Sequence, residues 1–568
     1  MLNYTNLFLF IFLLYWLLVM FLDRRGILGR YNITAYGPVL MLRTTKGQAF
    51  LDRLAVHKRF WRLFANIGLP AMLIGMLVMF LLILFIDYSL IRSFQTQTVP
   101  APSRFNEPRN IFLIPGINEY IPFYWGIIAL IVTLVVHEFS HAILCKVEGI
   151  KVKSMGILLA IIPIGGFAEP DDEQLLGKKE EKSETEKQEA AGEAEPKKLA
   201  SRSERIRVLT AGVMANFVTA LIAFILFFSL LGSLSPLGDV MVTSVVPGYP
   251  AQLAGVQQNM ILTGINDIQV NNANDFLSYA RTLKPGSNVT LHVVESGVRR
   301  KISMVATGSN ETRGGVNVSQ VIEGSPAQKA GIQAGMILVR IDNTEIKVLD
   351  DFINFMNSTT QGQKVDVYLL SNSSVNASTV VFRNIELSKY PQVSVNKGFL
   401  GVSYSPEEGA VSYSIGMGIG QFRAKDYLNM LKSIPSMMTG LTGWVLLFGL
   451  PIFGLGGEGF PGFSGLLTSF YEPTGWAALL GMGTFWILNI LLWVGWMNFY
   501  AGLFNCLPAV PLDGGHVFRD VMTSSLSRII GNGEKVEKLS SAIAVLFAVL
   551  ILMSLVFVII APYAAHGF

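Results

Sequence analysis

The amino-acid sequence predicts a polytopic α-helical membrane protein that carries two α+β modules outside the membrane. Only 15% of the 568 residues are charged and the mean hydropathy is +0.46, whereas soluble proteins contain about 25% charged residues. The apolar residues gather in blocks of roughly 17–25 residues, the length that a helix needs to cross the hydrocarbon core. A tandem sequence repeat lies in the polar stretch between these blocks. Together these observations exclude a purely soluble enzyme.

Six of the apolar blocks are predicted to cross the membrane as helices. They are Leu7–Leu22, Ile67–Tyr88, Ile121–Cys145, Ile206–Leu231, Trp476–Phe504 and Ala542–Ile560. A seventh block, Ile434–Leu455, is interrupted by glycine and proline, and we expect it to be re-entrant or interfacial. The alternative is a crossing that returns through residues 456–471. The first block lacks a small-residue cleavage site, which predicts a retained helix rather than a removed signal peptide.

The distribution of basic residues predicts how the chain is oriented in the cell membrane. The segment Asp23–Asn66 contains nine Lys and Arg residues and two acidic residues, so we expect it to lie in the cytoplasm. Alternation of the spans then places residues 232–433 outside the cytoplasm. His137 lies about sixteen residues into a helix that runs inward, so the site described below is predicted to lie toward the cytoplasmic side.

The extracytoplasmic stretch contains an internal repeat with an offset of 76 residues. Pro250–Gln257 recurs as Pro326–Gln333, and short β-type runs alternate with helical patterns in both copies. The Pro-Ala-x-x-Ala-Gly-Ile/Val turn resembles that of PDZ domains, which bind extended peptides at a sheet edge. The resemblance implies PDZ-like domains at residues 233–309 and 310–390 that bind peptides or protein termini. A simple spacer is the alternative.

The remaining charge pattern predicts contacts with water and with the lipid bilayer. Thirteen of the twenty-one residues 178–198 are charged, which predicts a solvated, disordered insertion or, alternatively, a site for a regulatory partner. The basic residues of Asp23–Asn66 could touch anionic lipid head groups, although positive-inside bias alone explains them. A net charge of +4 is too small and too scattered for nucleic-acid binding.

A His-Glu-x-x-His motif lies within the third predicted span. His137 and His141 are four residues apart and therefore share a helix face, so that both imidazoles can bind one metal ion. Glu138 stands beside them, where it can take a proton from water. Ionisable groups inside a bilayer are costly unless they are paired or bound to a metal. The motif predicts a catalytic metal centre; interhelical hydrogen bonding is the alternative.

A catalytic zinc usually takes three protein ligands, so a third ligand must come from elsewhere. Asp513 is the best candidate because it follows the fifth predicted span, where Pro508 breaks the helix and Gly514 permits a tight turn. Cys145 is a rival, since it lies one turn after His141. Three ligands on one straight helix would, however, spread too far along its axis to surround one ion.

These motifs resemble those of the site-2 protease family, the intramembrane zinc metalloproteases. The corresponding residues are His137, Glu138 and His141 of His-Glu-x-x-His, Gly212 and Asn216 of Gly-x-x-x-Asn, Asn505 and Pro508 of Asn-x-x-Pro, and Leu512, Asp513 and Gly514 of Leu-Asp-Gly. The resemblance covers about Ile121 to Leu526, and a PDZ pair between the motif-bearing helices is also common in the family.

The resemblance implies hydrolysis of a peptide bond within or near a transmembrane helix of a membrane-protein substrate, as a step of regulated proteolysis. It implies one Zn²⁺ per chain, bound by His137, His141 and Asp513. Glu138 would then be the catalytic base that passes a proton from water to the leaving amine.

The other family motifs imply supporting roles. Asn216 and Asn505 would hydrogen-bond the substrate backbone or the developing oxyanion, with interhelical hydrogen bonding as their alternative role. Gly212, Pro508 and Gly514 would support the site by permitting close packing and a tight turn.

An apolar segment after the third span is predicted to be β-structure. Residues 156–167 are too short to cross the membrane as a helix, and their proline and glycines disfavour one. The matching stretch of the family resembles a membrane-embedded β-structure whose edge can pair with an extended substrate.

Two functions of another class remain as alternatives. A catalytically inactive scaffold could use the PDZ-like pair to hold membrane proteins, and a metal transporter could bind its cargo at the histidines. Glu138 discriminates between these and a protease, because binding alone needs no carboxylate base beside the metal.

The predicted division of the chain combines these assignments. It comprises two spans with a basic cytoplasmic loop at 1–120, the first part of the protease core at 121–232 with the charged insertion at 171–205, the PDZ-like domains at 233–309 and 310–390, a connector with the re-entrant segment at 391–475, the second part of the core at 476–530, and a last span at 531–568.

Overall fold

The computed structural model describes most of the chain. It covers residues 4–567 apart from 45–47, 104–105, 111–112, 161, 177–198, 247, 296, 307–311, 314, 323, 348, 372–377, 390–396, 405–409, 413 and 454–459. The predicted insertion at 178–198 therefore lies outside the described residues. The chain forms two compact units, which we call the helical unit (Met1–Phe228, Phe448–Gly462 and Ile487–Phe568) and the module unit (Ser229–Leu447 and Phe463–Trp486).

The described residues form sixteen α-helices. They are α1 (Tyr4–Arg24), α2 (Gln48–Ala55), α3 (Lys58–Gln95), α4 (Phe123–Glu148), α5 (Asp172–Leu176), α6 (Arg202–Leu231), α7 (Pro250–Leu253), α8 (Ala273–Ala280), α9 (Pro326–Ala330), α10 (Leu349–Asn357), α11 (Ala424–Met437), α12 (Leu441–Phe453), α13 (Leu466–Ser469), α14 (Gly483–Asn505), α15 (Asp513–Leu526) and α16 (Gly533–His566).

Among the described residues, five helices are long and apolar enough to cross a membrane, namely α3, α4, α6, α14 and α16. They correspond to five of the six predicted spans, and the protein is accordingly a multi-pass membrane protein. Helix α1 covers the remaining predicted span, whose crossing stays a prediction. The fifth span was predicted to begin at Trp476, but α14 begins at Gly483, because Gly481 adopts a left-handed φ of +51° and ends a short 3-10 helix.

The described strands number twenty-two. They are β1 (Ile33–Tyr36), β2 (Val39–Thr44), β3 (Val152–Ala160), β4 (Ile162–Pro170), β5 (Leu234–Pro236), β6 (Val240–Val245), β7 (Ile261–Ile265), β8 (Ile268–Gln269), β9 (Asn288–Glu295), β10 (Val298–Val305), β11 (Thr312–Arg313), β12 (Val316–Val321), β13 (Ile337–Ile341), β14 (Thr344–Glu345), β15 (Lys364–Leu370), β16 (Thr379–Glu386), β17 (Ser388–Lys389), β18 (Gly398–Phe399), β19 (Val402–Tyr404), β20 (Ala410–Ser412), β21 (Met417–Gln421) and β22 (Tyr471–Pro473).

The helical unit contains an antiparallel sheet with the order β1-β2-β3-β4. The segment at 156–167 was predicted to be β-structure, and it forms most of the hairpin β3–β4. Strands β1 and β2 were not predicted, because charge is the dominant feature of the basic segment that contains them. The Gly37-Pro38 turn between two runs rich in β-branched and aliphatic residues is the local signal that indicates this hairpin.

The module unit contains two modules of the same topology. The first module has the strand order β10-β9-β7-β6-β21, and the second module has the order β16-β15-β13-β12-β19. Strands β6 and β7 recur as β12 and β13 at the 76-residue offset that the sequence repeat gives. Phe276 and Phe352 occupy equivalent positions, and both are buried in the cores of their modules.

The sheet pairings differ from the predicted boundaries at 309 and 390. Strand β19 pairs with β12 and completes the second module, while β21 pairs with β6 and completes the first. The second module is therefore nested inside the first, and strands β19 and β21 of the predicted connector belong to the two modules. The closing strands lie outside the repeated sequence, so the repeat alone did not reveal them.

Helix α12 occupies the block that was predicted to be re-entrant. Its thirteen residues extend for roughly 20 Å, which is less than the hydrocarbon thickness of about 30 Å. Beyond it, Phe460 N donates to Leu450 O at 3.0 Å, and Trp493 Nε1 in the middle of α14 donates to Pro461 O at 2.9 Å. These contacts are consistent with a chain that turns back, and the re-entrant assignment stays a prediction.

Candidate metal centre and active site

Helix α4 presents two imidazoles on one face, as its four-residue spacing requires. The Nε2 atoms of His137 and His141 are 3.1 Å apart. The helix continues past the histidines to Glu148 and ends where Gly149 takes a left-handed φ of +78° and Ile150 N donates to Cys145 O at 2.8 Å. The two histidines therefore lie within the spanning helix rather than at its end.

Asp513, the first residue of α15, supplies the third side chain. Its Oδ2 lies 3.2 Å from the Nε2 of His137 and 3.2 Å from that of His141. Ligand atoms about 2.0–2.1 Å from a tetrahedral Zn²⁺ lie roughly 3.3 Å from one another. The triangle of one oxygen and two nitrogens therefore has the size that one zinc ion requires.

The chemistry of the donor set fits zinc as well as its size does. Asp513 Oδ2 is buried and accepts no hydrogen bond from any residue that the structure describes. Burial of an uncompensated carboxylate oxygen costs free energy, which a bound cation would offset. Among the described residues, His137, His141 and Asp513 are the group of metal-binding side chains whose ligand atoms lie within 4.8 Å of one another. Cys145, the rival ligand, is instead packed in an apolar cluster.

A backbone carbonyl fixes the orientation of His141. The distance between His141 Nδ1 and Val208 O on α6 is 2.7 Å. Because a carbonyl oxygen only accepts, Nδ1 must carry the ring proton, and the lone pair of Nε2 then points at the other two ligand atoms.

An amide side chain contacts the second imidazole. Asn216 on α6 has only 1% of its surface exposed, and its Nδ2 lies 3.2 Å from His137 Nδ1. A metal bound at Nε2 leaves the proton on Nδ1, which needs an acceptor. A 180° rotation of the amide places Oδ1, which is buried and without a partner among the described residues, at that position. The contact favours orientation of His137 over the substrate or oxyanion role predicted above.

We expect Asn216→Ala to lower zinc affinity about 10–100-fold, the usual effect of losing a partner of a metal-bound histidine. Asn216→Asp should retain most of the affinity, because its carboxylate still accepts from Nδ1. Zinc titration of the purified variants measures both effects. If Asn216 acted on the substrate alone, the alanine variant would keep its zinc affinity and lose only turnover.

Gly212 lets α6 approach the two imidazoles. A Cβ added at this position would lie 2.4 Å from His141 Nε2 and 2.7 Å from His137 Cε1, closer than any van der Waals contact permits. The predicted supporting role of Gly212 thus has a specific basis, which is space for the ligand rings themselves.

Gly212→Ala is therefore expected to lower zinc affinity by at least about tenfold, because the methyl group displaces the rings from the ligand positions. Metal content after dialysis against a graded zinc buffer measures the change. Gly483→Ala is the matched control, since a Cβ there meets nothing within 4 Å. Equal zinc affinity in both variants would contradict this account.

Strand β4 holds the carboxylate of Glu138 from the other side. Ala168 N donates to Glu138 Oε2 at 2.7 Å, and a Cβ at Gly166 would lie 2.9 Å from Glu138 Cγ. A cavity of about 30 Å³ opens beside this carboxylate between α4 and the β3–β4 hairpin. Its lining is otherwise apolar and includes Ile131, Val135 and Ile157.

The turn before α15 is compact because two glycines follow Asp513. Added Cβ atoms would lie 2.4 Å from Cys506 O at Gly514 and 2.4 Å from Ala509 C at Gly515. Pro508 is buried within the same turn. Asn505 does not join the ligand triangle, and its Nδ2 donates at 3.1 Å to Ala501 O of its own helix. Its substrate-binding role stays a prediction.

Two ion-pair groups connect the helices that carry the site. Arg205 on α6 contacts Asp520 on α15 through two hydrogen bonds, of 2.6 and 2.7 Å. Glu148 at the end of α4 accepts from Arg62 and Arg207, with the shortest contacts at 2.9 and 2.7 Å. Sequence reasoning did not identify these pairs, and charged residues at the ends of apolar spans are the signal that indicates them.

The comparisons with known proteins agree with this geometry. The sequence model of peptidase family M50 matches residues 125–551, about three quarters of the chain. Protein MJ0971 of Methanocaldococcus jannaschii is 28% identical over 51% of this chain and 68% of its own length. The regulator of sigma E protease of Haemophilus influenzae is 22% identical over 70% of this chain and 90% of its own length. Zinc metalloprotease RasP of Oceanobacillus iheyensis is 29% identical over 21% of this chain and 28% of its own length.

The family match includes both helices that supply the metal-binding side chains, since it extends from α4 through α15. The names of the Haemophilus influenzae and Oceanobacillus iheyensis proteins describe proteases, and the second of these names includes zinc. With a family match over more than half of its length and a donor set suited to zinc, the chain belongs to peptidase family M50, as a zinc metalloprotease of the site-2 type.

Proposed function

We propose that the protein hydrolyses peptide bonds within or near the transmembrane helices of other membrane proteins, as one step of regulated proteolysis. The observation that carries the proposal is the ligand triangle of His137, His141 and Asp513, whose edges measure 3.1 to 3.2 Å, on a membrane-spanning helix. These three residues would hold one Zn²⁺ per chain. An inactive scaffold or a metal transporter is not favoured by the family match.

Zinc would supply a Lewis acid that acidifies water and polarises the scissile carbonyl. Glu138 takes the proton of the attacking water and delivers it to the leaving amine. Ala168 N–H holds one carboxylate oxygen of Glu138, which fixes the side chain and leaves the other oxygen for the proton. His141 and His137 are kept in position by Val208 O and by the amide of Asn216.

Strand β4 is well placed to align an unwound substrate. It ends the sheet β1-β2-β3-β4, and Ala168 N–H, which donates to Glu138, shows that this residue faces away from β3. In an antiparallel ladder, alternate residues share that direction, so Gly166 also offers its backbone groups at the free edge. A substrate strand that pairs there lies beside Glu138, and the cavity of about 30 Å³ suits a small apolar side chain.

The ion pairs support a cytoplasmic position for the site. Arg62 lies at the start of α3, Arg207 at the start of α6 and Glu148 at the end of α4, so these residues mark one end of three helices. Basic residues are retained on the cytoplasmic side. The metal centre lies toward that side of the cell membrane, and the two modules lie outside the cytoplasm as PDZ-like domains that bind peptides or protein termini.

The proposal is tested with the full-length protein in lipid nanodiscs and a fluorescent peptide that contains a single transmembrane helix. Cleavage should require one zinc ion per chain, stop after 1,10-phenanthroline removes the metal, and return when zinc is added. Mass spectrometry should locate the cut within or next to the apolar segment of the peptide. Cleavage that continues after the bound zinc has been removed would refute the proposal.

A further inference from the structure

Asp513 differs from the other two ligands because a separate segment of the chain carries it. His137 and His141 share one helix, α4, so their spacing is fixed locally. Asp513 is the first residue of α15, which has only fourteen residues. The residue before it, Leu512, has no polar side chain that could cap the helix and fix its start. The position of the third ligand therefore depends on how α15 is held against its neighbours.

Helix α6 is a neighbour that α15 shares with the two histidines. Its Gly212 lies against both imidazole rings, and the amide of its Asn216 contacts His137. Helix α15 packs against α6 as well, since Val517 of α15 belongs to the same apolar cluster as Leu209 of α6. The packing of α15 against α6 consequently sets where Asp513 lies relative to the two imidazoles.

An ion pair joins the same two helices farther from the metal centre. Arg205 Nε donates to Asp520 Oδ2 at 2.6 Å, and Arg205 Nη2 donates to Asp520 Oδ1 at 2.7 Å. The two side chains are only 15% and 4% exposed, so water does not weaken the pair as it weakens a surface ion pair. Two parallel hydrogen bonds fix the orientation of the partners as well as their distance. The pair thus holds α15 and α6 in one relative position.

The ion pair and the metal centre lie on matching faces of these two helices. Arg205 precedes Gly212 by seven residues, and Asp520 follows Asp513 by seven residues. Seven residues are close to two helical turns, so the residues of each helix share a face and lie roughly 10 Å apart along its axis. The earlier residue of α6 pairs with the later residue of α15, so the helices run antiparallel. The ion pair therefore lies two turns from the metal centre on both helices.

The metal centre is sensitive to the position of α15 because zinc tolerates little variation in its ligand distances. These distances vary by only about 0.2 Å in a well-formed site. The apolar contacts between α15 and α6 are not directional, and they permit one helix to slide or rotate against the other. Hydrogen bonds depend on both distance and angle, so the ion pair fixes the register that the apolar layer leaves open.

From these contacts we infer that Arg205 and Asp520 are positioning residues of the metal centre, which hold the carboxylate of Asp513 in place at the two imidazoles. They act through helices α6 and α15, from two turns away. This inference rests on the proposed zinc centre and adds the contact that sets the position of its third ligand. Loss of the ion pair should therefore weaken zinc binding by the folded protein, and not only the stability of the fold.

The test measures the zinc affinity of the full-length protein in nanodiscs, by competition with a chelator of known affinity. We expect Arg205→Gln to weaken zinc binding about tenfold or more, a loss similar to that of a partner of a metal-bound histidine. Arg207→Gln is the matched control, because it makes the same change two positions later on the same helix. Its partner Glu148 keeps Arg62, with contacts of 3.2 and 2.9 Å, so its zinc affinity should stay close to that of the unaltered protein.

A double variant separates positioning from stability. Arg205→Gln alone leaves the buried carboxylate of Asp520 without its charged partner, which destabilises the fold. Arg205→Gln combined with Asp520→Asn removes both charges, so the metal-free protein should regain part of the lost unfolding temperature. Its zinc affinity should stay about tenfold or more below that of the unaltered protein, because two amides do not reproduce the two parallel bonds. Zinc binding is measured well below the unfolding temperature of each variant.

Two results would overturn this inference and leave the proposed function intact. Unaltered zinc affinity in the folded double variant would mean that the ion pair only stabilises the fold. An equal loss of affinity in Arg205→Gln and Arg207→Gln would mean that the charge of α6, rather than its contact with α15, controls the site. Failure of the unaltered protein to bind zinc would instead refute the proposed metal centre itself. Cleavage of the transmembrane peptide by the unaltered protein, measured in parallel, reports on the proposed function alone.

Discussion

Asp513→Ala is expected to remove both the bound zinc and the proteolytic activity. Its Oδ2 supplies one corner of the ligand triangle, 3.2 Å from each imidazole nitrogen, and two histidines alone leave a zinc site incomplete. We expect zinc content to fall from one ion per chain to a trace. Cleavage should fall by a factor on the order of 1,000 or more, since water is not acidified without the metal.

Two further variants show whether the carboxylate acts as a ligand. Asp513→Asn keeps the size of the side chain but replaces the charged oxygen with a weak amide ligand, and it should lose zinc as well. Asp426→Ala removes an exposed carboxylate from the first turn of another helix, α11, and should change neither quantity. Metal analysis of protein purified without chelator measures the zinc content of each variant. A full complement of zinc in Asp513→Ala would exclude Asp513 as a ligand.

Glu138→Gln should lower the cleavage rate about 10²–10⁴-fold, the usual contribution of a general base, while zinc content stays at one ion per chain. Glutamine is nearly isosteric, and its amide oxygen can still accept from Ala168 N–H, which now binds Glu138 Oε2 at 2.7 Å. The side chain should therefore keep its place on β4, so the loss reports on proton transfer.

Glu138→Asp is the matched control for this experiment. It keeps a carboxylate but withdraws it by one methylene group, so its rate should lie between those of the unaltered protein and the glutamine variant. Single-turnover cleavage of the transmembrane peptide measures all three rates. Equal rates for the unaltered protein and Glu138→Gln would remove Glu138 from the mechanism.

The metal centre could be predicted from the sequence because helix geometry is local. A spacing of four residues places His137 and His141 on one face of α4 whatever surrounds the helix. Asp513 was identified by chemistry, since the prolines and glycines around it indicate a turn at the end of a span. The structure brings all three side chains together, as the prediction required.

The contacts that orient these ligands depend on packing between helices, which a single sequence does not specify. The motif gave Gly212 a supporting role, but the 2.4 Å separation between its added Cβ and His141 Nε2 comes from the approach of α6 to α4. Likewise, the family motif implied that Asn216 binds the substrate backbone or the developing oxyanion, with interhelical hydrogen bonding as the alternative. Its described partner, His137 Nδ1 on α4, could be identified only from the packing of α6 against α4.

The modules show the same limit for strand pairing. The repeat predicted two similar domains, but their closing strands contain few residues and lie beyond the repeated sequence. Strand β21 is only five residues long and contains two glycines, which weakens any strand signal. Its partner β6 lies much earlier in the chain, and the pairing of two distant strands produces no periodic pattern in the sequence.

The nesting of the second module inside the first determines the order in which the two can be completed during synthesis. The end of β12 and the start of β19 are 402 − 321 = 81 positions apart in the chain. The end of β6 and the start of β21 are 417 − 245 = 172 positions apart. The inner domain can thus finish its sheet while the outer one still lacks its last strand. A nascent chain that stalls before Met417 would expose the unfinished edge of β6 to chaperones and to proteolysis.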